Sequence, residues 1–202
     1  MKEKSFAKEQ KLFAAALEEF TQKPYEEASL NTILKNAGVS KGVFYYHFAD
    51  KQALYLYLLQ KATKEKWAFI ARQRQNSTVQ AATLFEQFRL QARFGVQFAR
   101  QYPLYHKLGR MLAKEAGSPI YEVAKQQLQP GGEQQLAQLV ADALAKGELR
   151  PGYTQNFLVK LLSLLFSGFD EVFGAQENTD PDHMLANLDQ YVEFMRRGLG
   201  AQ

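Results

Sequence analysis

Cysteine is absent from the 202-residue chain, which excludes disulfides, thiolate nucleophiles and cysteine-based zinc sites. Histidine is scarce: His47, His106 and His183 are the only three, far apart and without metal-ligand spacing. No Gly-rich phosphate loop, His-Glu metal motif or nucleophile with an adjacent base is present, so neither an enzymatic site nor a cofactor is expected. The longest apolar run, FLVKLLSLLFSGF, contains Lys160 and is too short to cross a bilayer, so no membrane partner is expected. The N-terminal stretch alternates Lys and Glu without an apolar core, unlike a signal peptide, and a soluble, cytoplasmic protein is the expectation. Internal repeats and low-complexity segments are missing as well.

What the chain does have is apolar content: 46% hydrophobic and 13% aromatic residues are enough for a proper core. Its net charge of +4 is compatible with a nucleic-acid partner. The charge is unevenly spread, with Glu65 and Glu86 the only acids between Lys61 and Arg110, and a mostly acidic stretch from Asp170 to Glu193.

One stretch organises the rest. LNTILKNA places Leu30, Ile33, Leu34 and Ala37 at i, i+3, i+4, i+7, a single helical face. Ser29 is set to cap its first turn and Gly38 to end it in a left-handed conformation. Val39 then supplies an apolar plug and Ser40 a second N-cap. Two capped helices around a short glycine-containing turn have helix-turn-helix geometry. On the second helix Phe44 and Phe48 lie one turn apart and must be buried. Gly42, Val43 and Tyr46 then point the other way, flanked by Lys41, Tyr45 and His47, a face that suits phosphates and base edges. Amphipathic surface aromatics on a small helical domain are the plain alternative.

The run from Gln10 to Tyr57, with VSKGVFYYHFADKQAL at its centre, resembles the DNA-binding domain of the TetR family of bacterial transcriptional regulators. Position by position, the resemblance implies that Ser40, Lys41 and Gly42 meet DNA at the start of the recognition helix and that Val43 and Tyr46 face bases. Tyr45 and His47 would hold phosphates, and Lys51 would add a further phosphate contact. Two positions depart from the family pattern. Pro24 stands where members often have glycine after helix 1, so that helix must stop by about Gln22 without a left-handed cap. Leu30 stands where members often place a hydroxyl, a role open to Ser29.

The rest of the chain reads as helices. Phe6, Phe13, Leu17 and Phe20 give a first helix that packs across the motif, followed by a loop in which Tyr25 plugs the core. Its lysines Lys2, Lys4, Lys8 and Lys11 suit a solvated, Glu-paired face or an arm near phosphate. Asp50 caps a fourth helix running to about Gln75, whose Leu54, Tyr55, Leu56, Leu58 and Leu59 surround it with apolar side chains and predict burial on all sides. Ser77 or Thr78 is expected to open the fifth helix, along which Arg89, Arg93 and Arg100 form either a solvated face or an anion-binding wall. Pro103 suits the first turn of the sixth. Two further helical runs are interrupted by Pro130, Gly131 and Gly132, and the second ends at Gly147.

His106 with Tyr102, Tyr105 and Tyr121 could furnish polar points in an apolar pocket, or be satisfied core residues. Trp67 suits a cavity wall or core packing, and Phe98 and Phe166 complete the candidate ligand set. The last two helices carry more apolar surface than one body of this size can cover. Leu161, Leu165, Phe169, Leu188, Val192 and Met195 are therefore expected to meet the same helices of a second copy in an isologous four-helix bundle, with an intramolecular core as the alternative.

The expected fold is all-α, about nine helices: a three-helix head over residues 1–49, joined by a long fourth helix to a ligand-binding and dimerisation body over residues 50–202. The resemblance implies a homodimeric repressor, released from double-stranded DNA bearing a palindromic operator by an unknown small-molecule effector. A regulator without a ligand, controlled by a protein partner or acting as an activator, is the competing expectation.

Overall fold

The computed structural model describes residues 8–77, 83–128, 132–173 and 181–201. Among these the chain forms ten α-helices, and the only extended pairing is an isolated bridge between Leu149 and Gly200. The helices are α1 (Glu9–Gln22), α2 (Leu30–Ala37), α3 (Lys41–His47), α4 (Lys51–Asn76), α5 (Leu84–Gln101), α6 (Pro103–Lys114), α7 (Pro119–Leu128), α8 (Gly132–Ala145), α9 (Gln155–Phe173) and α10 (Pro181–Leu199). None of them, among the described residues, is long and apolar enough to cross a membrane.

Two compact units divide the chain: Met1–Ala68 with Phe98–Leu128, and Phe69–Gln97 with Gln129–Gln202. The functional boundary expected after Ala49 does not coincide with this division. Three short helices cannot close a core alone, and in the first unit Leu12, Phe20, Ile33 and Phe44 share one cluster with Leu54, Tyr55 and Leu58 of α4, Leu108 of α6 and Ile120 and Ala124 of α7. As the sequence predicts, Leu54, Tyr55, Leu56, Leu58 and Leu59 are all buried around the early turns of α4. Tyr25 is the expected plug, its ring 5.0 Å from that of Tyr55, which in turn meets Phe20 edge-on at 4.8 Å. Burial pushes the phenol pKa of both tyrosines up, Tyr25 to about 12, so both rings stay uncharged.

Glu19 is a carboxylate inside this unit. It accepts from the Lys23 ammonium at 2.8 Å and from the Ser29 backbone N–H at 3.0 Å, joining the end of α1 to the start of α2. The bond from Lys23, followed by that from Ser29, holds its carboxyl below the usual carboxylate range. A lowered folded-state pKa contributes stability that is fully present above the unfolded value and is lost as pH falls through the folded one. Glu19→Ala is therefore expected to lower unfolding stability by about 1–3 kcal/mol at pH 7, and the difference from wild type to shrink below about pH 4. Urea denaturation of both proteins across that range checks it; a difference independent of pH would rule out the ionic role.

In the second unit α5 starts later than expected, at Leu84, because Thr83 caps it. Thr83 Oγ1 accepts from the Glu86 N–H at 3.3 Å and Glu86 Oε2 accepts from the Thr83 N–H at 3.0 Å, a capping box within the sequence TLFE. Thr78, the other candidate cap, lies outside the described residues. Gly147 does end α8 with φ 70°. The following segment ties two helix ends together: Glu148 accepts from the Leu84 N–H at 2.7 Å, and Arg150 donates to the carbonyls of Gly200 and Arg197 at 3.1 and 2.9 Å. A Cβ at Gly200 would come within 2.5 Å of the Arg196 carbonyl oxygen, so only glycine allows this close return. Arg89 and Arg93 pair with Asp189, at 3.2 and 2.9 Å, rather than lining an anion site.

The C-terminal helices differ from expectation in which face they turn inward. Leu188, Val192 and Met195, expected against a second copy, are buried in their own unit at 4%, 1% and 1% exposure, packed in the cluster of Phe85, Phe88, Leu158 and Leu162. Leu161, Leu165 and Phe169 are half-buried against that cluster. Leu164 and Phe194 are left 68% and 69% exposed.

Candidate nucleic-acid interface

Each boundary of the motif is made by the residue expected to make it. Ser29 Oγ accepts from the Thr32 N–H at 3.3 Å, starting α2. Gly38 ends that helix at φ 62°, a conformation costing a residue with a Cβ about 1–2 kcal/mol. Ser40 Oγ accepts from the Val43 N–H at 3.4 Å to start α3, and Asp50 from the Ala53 N–H at 2.7 Å to start α4. Val39 is the buried plug between them. Phe44 is fully buried and stacks on half-buried Phe48 at 5.7 Å, which fixes the rotation of α3 about its axis.

That rotation turns the other face outward. Lys41 and Gly42 are exposed, Val43 is 43% exposed, Tyr45 55% and Tyr46 75%. Tyr45 leans edge-on against Phe44 at 5.2 Å, and Tyr46 against half-buried His47 at 4.9 Å, so the two hydroxyl-bearing rings are steadied without being covered. Among the described residues, its own helix backbone and chain neighbours aside, nothing lies within 4 Å of where a Gly42 Cβ would be, leaving the backbone there open to close approach from outside. A face with a cation, phenolic hydroxyls, a branched apolar side chain and bare backbone can contact phosphates, hydrogen-bond base edges and touch a thymine methyl.

Lys51 departs from expectation. Its ammonium donates to the carbonyls of Tyr25, Glu26 and Ala28 at 2.7, 3.3 and 3.0 Å and lies 4.3 Å from the centre of the Tyr25 ring. An ammonium has three N–H donors, and here three carbonyls receive them. Lys51→Ala is thus expected to destabilise the fold by about 1–3 kcal/mol and leave the salt dependence of DNA binding unchanged. A slope shallower by about one unit would return Lys51 to the phosphate contacts. Leu30 packs on the core, and the Ser29 hydroxyl is committed to its cap. One residue at the motif was not anticipated: Lys8 donates to the Gly38 carbonyl, joining the start of α1 to the turn.

Of the candidate ligand residues, the fold brings Phe98, Tyr102 and Tyr105 together in a stack, with ring centres 5.0 and 6.1 Å apart. His106 and Tyr121 are half-buried in the same unit, and Trp67 is 49% exposed. Phe166 belongs to the second unit, edge-on to Phe88 at 4.4 Å.

Residues 12–58, which contain the whole motif, match the family model described as bacterial regulatory proteins, tetR family. A crystal structure of a TetR family transcriptional regulator from Chloroflexus aurantiacus superposes with a TM-score of 0.75 at 26% identity, over 96% of this chain and 94% of that one. Residues 12–58 belong to the TetR family. Among curated TetR-like relatives, the transcriptional activator FasR of Mycolicibacterium smegmatis is 46% identical over 50 residues, 25% of this chain and 23% of that protein. The transcriptional regulator YvdT of Bacillus subtilis is 37% identical over 54 residues, 27% of this chain and 28% of that protein. The chain therefore spans only about a quarter of the length of the curated relatives it matches. The TetR fold is shared more widely: FadR of Bacillus subtilis, solved in complex with stearoyl-CoA, has a TM-score of 0.71 at 15% identity, over 94% of this chain and 98% of that one.

Proposed function

We propose that this chain is a sequence-specific DNA-binding transcriptional regulator. It acts as a homodimer, most simply a repressor released from a palindromic operator by a small-molecule effector. The observation that carries the reading is the outward face of α3, where a 75%-exposed Tyr46 beside Val43 and open Gly42 has no role in the core. Val43 and Tyr46 read bases, while Ser40, Lys41, Tyr45 and His47 hold the backbone. A two-fold dimer of such heads requires a palindromic site with half-sites one helical turn or multiples apart. Leu164 of α9 and Phe194 of α10, 68% and 69% exposed, support pairing of these helices with a second copy. An effector acts by binding one spacing of the two heads better than the other, and Trp67, Phe98, Tyr102, Tyr105, His106 and Tyr121 of the first unit are the candidates to contact it.

The test is selection of the purified protein against a random duplex pool at fixed salt, followed by sequencing of what is retained. A palindromic consensus that is lost on Tyr46→Ala is the expected result. Retention without consensus would reduce the reading to electrostatic binding, and no retention would overturn it. The name of the FasR relative favours one competing sign, activation. Transcription in vitro from a promoter carrying the selected operator separates the two, since a repressor lowers the transcript and an activator raises it.

A further inference from the structure

The loop between α1 and α2 is a turn in which the Pro24 carbonyl accepts from the Glu27 and Ala28 N–H groups, both at 3.1 Å. Lys23, which ends α1, is extended at φ −134° and ψ 150°, so no left-handed glycine fixes the exit from the helix. Charged side chains from elsewhere in the first unit anchor that turn. Lys51, the first residue of α4, gathers the carbonyls of Tyr25, Glu26 and Ala28. On the opposite polarity, the Tyr25 backbone N–H donates to Glu115 Oε1, from a residue 90 positions away at the end of α6. Tyr25 is thus gripped at both ends of its backbone, its ring held against Phe20 and Tyr55. Lys51 follows the last residue of α3, His47, by only four positions, so whatever fixes the loop also fixes where the recognition helix ends.

We propose that Glu115 is a positioning residue for DNA recognition, acting through Tyr25 and Lys51 on the end of α3. The proposal rests on the DNA-binding reading above. Glu115 touches no nucleic acid in this scheme; it supplies the acceptor for a part-buried donor that otherwise has to find water by moving the loop. Once the loop moves, only a fraction of molecules present α3 in the docking geometry, and apparent affinity falls by that fraction.

The test compares Glu115→Ala, which removes the acceptor, with Glu115→Gln, whose carboxamide oxygen keeps it. Both are titrated with the selected operator and with a random-sequence duplex over a range of salt, at a temperature where circular dichroism shows full helix content. Glu115→Ala is expected to bind the operator about ten-fold or more weakly, with random-duplex affinity and salt slope unchanged, as expected when the competent fraction drops to about a tenth. Glu115→Gln is expected to stay within about two-fold of wild type, since its acceptor is retained. Should Glu115→Ala not fold, Glu115→Asp, which keeps the charge and withdraws the acceptor by one methylene, is read the same way.

Wild-type operator affinity in the acceptor-deficient variant, with only a lower melting temperature, would reduce Glu115 to a structural role and overturn the proposal. A changed salt slope, or equal loss in Glu115→Gln, would overturn it by pointing to charge instead of the acceptor. A wild-type protein that retains no duplex would sink the DNA-binding reading itself, a result distinguishable from all of these.

Discussion

Phe44→Ala is expected to lower unfolding stability by about 3–5 kcal/mol, whereas Tyr46→Ala, two positions along the same helix, is expected to change it by less than about 0.5 kcal/mol. The contrast follows from rotation about α3: Phe44 has 0% exposure and Tyr46 75%. In binding the order reverses. Tyr46→Ala should lose about 1–3 kcal/mol of discrimination at one operator position while remaining folded. Chemical denaturation of both variants, with titration of Tyr46→Ala against single-base operator variants, checks the pair. An unfolded Tyr46→Ala, or one with intact base preference, would show that the outward face of α3 has been misassigned.

In the proposed dimer, Leu164→Asp should separate the two copies without unfolding either. At 68% exposure the side chain tolerates a carboxylate in water, yet across a two-fold axis the substitution brings two carboxylates and their hydration into an apolar contact. A monomer engages one half-site at a time, so operator affinity is expected to fall by about 10²- to 10⁴-fold. Sedimentation equilibrium and operator titration on the same sample read both effects. A dimer that survives with full affinity would place the contact elsewhere. Leu188→Asp is not an equivalent test, because Leu188 is 4% exposed and its substitution buries a charge in the second unit.

The motif was legible because its determinants are local. Ser29, Ser40 and Asp50 each cap a donor three residues on, and Gly38 needs only its own φ, so short spacing carries the whole signal. The capping box at Thr83 and Glu86 is equally local, yet the earlier hydroxyls Ser77 and Thr78 drew the expected helix start away from it. Lys51 was misread because an exposed lysine and a lysine taken up by three carbonyls have the same sequence; its first partner is 26 residues away. The last two helices failed for a related reason. Spacing picks out the stripe of Leu188, Val192 and Met195 on α10, but it does not say whether that stripe is covered by the chain's own helices or by a second copy. Glu115 left no sequence signal, since nothing in its neighbourhood refers to Tyr25.

The shared core of the first unit also limits how such proteins can be recombined. A chimera joined just after Phe48 would give a transplanted head foreign counterparts of Leu54, Tyr55, Leu58, Leu108, Ile120 and Ala124, the residues that complete its packing. Grafting a new sequence preference onto this scaffold is better done by exchanging outward side chains of α3 alone, leaving its Phe44 face untouched. Whole-head exchange has to carry the matching positions of α4, α6 and α7 with it.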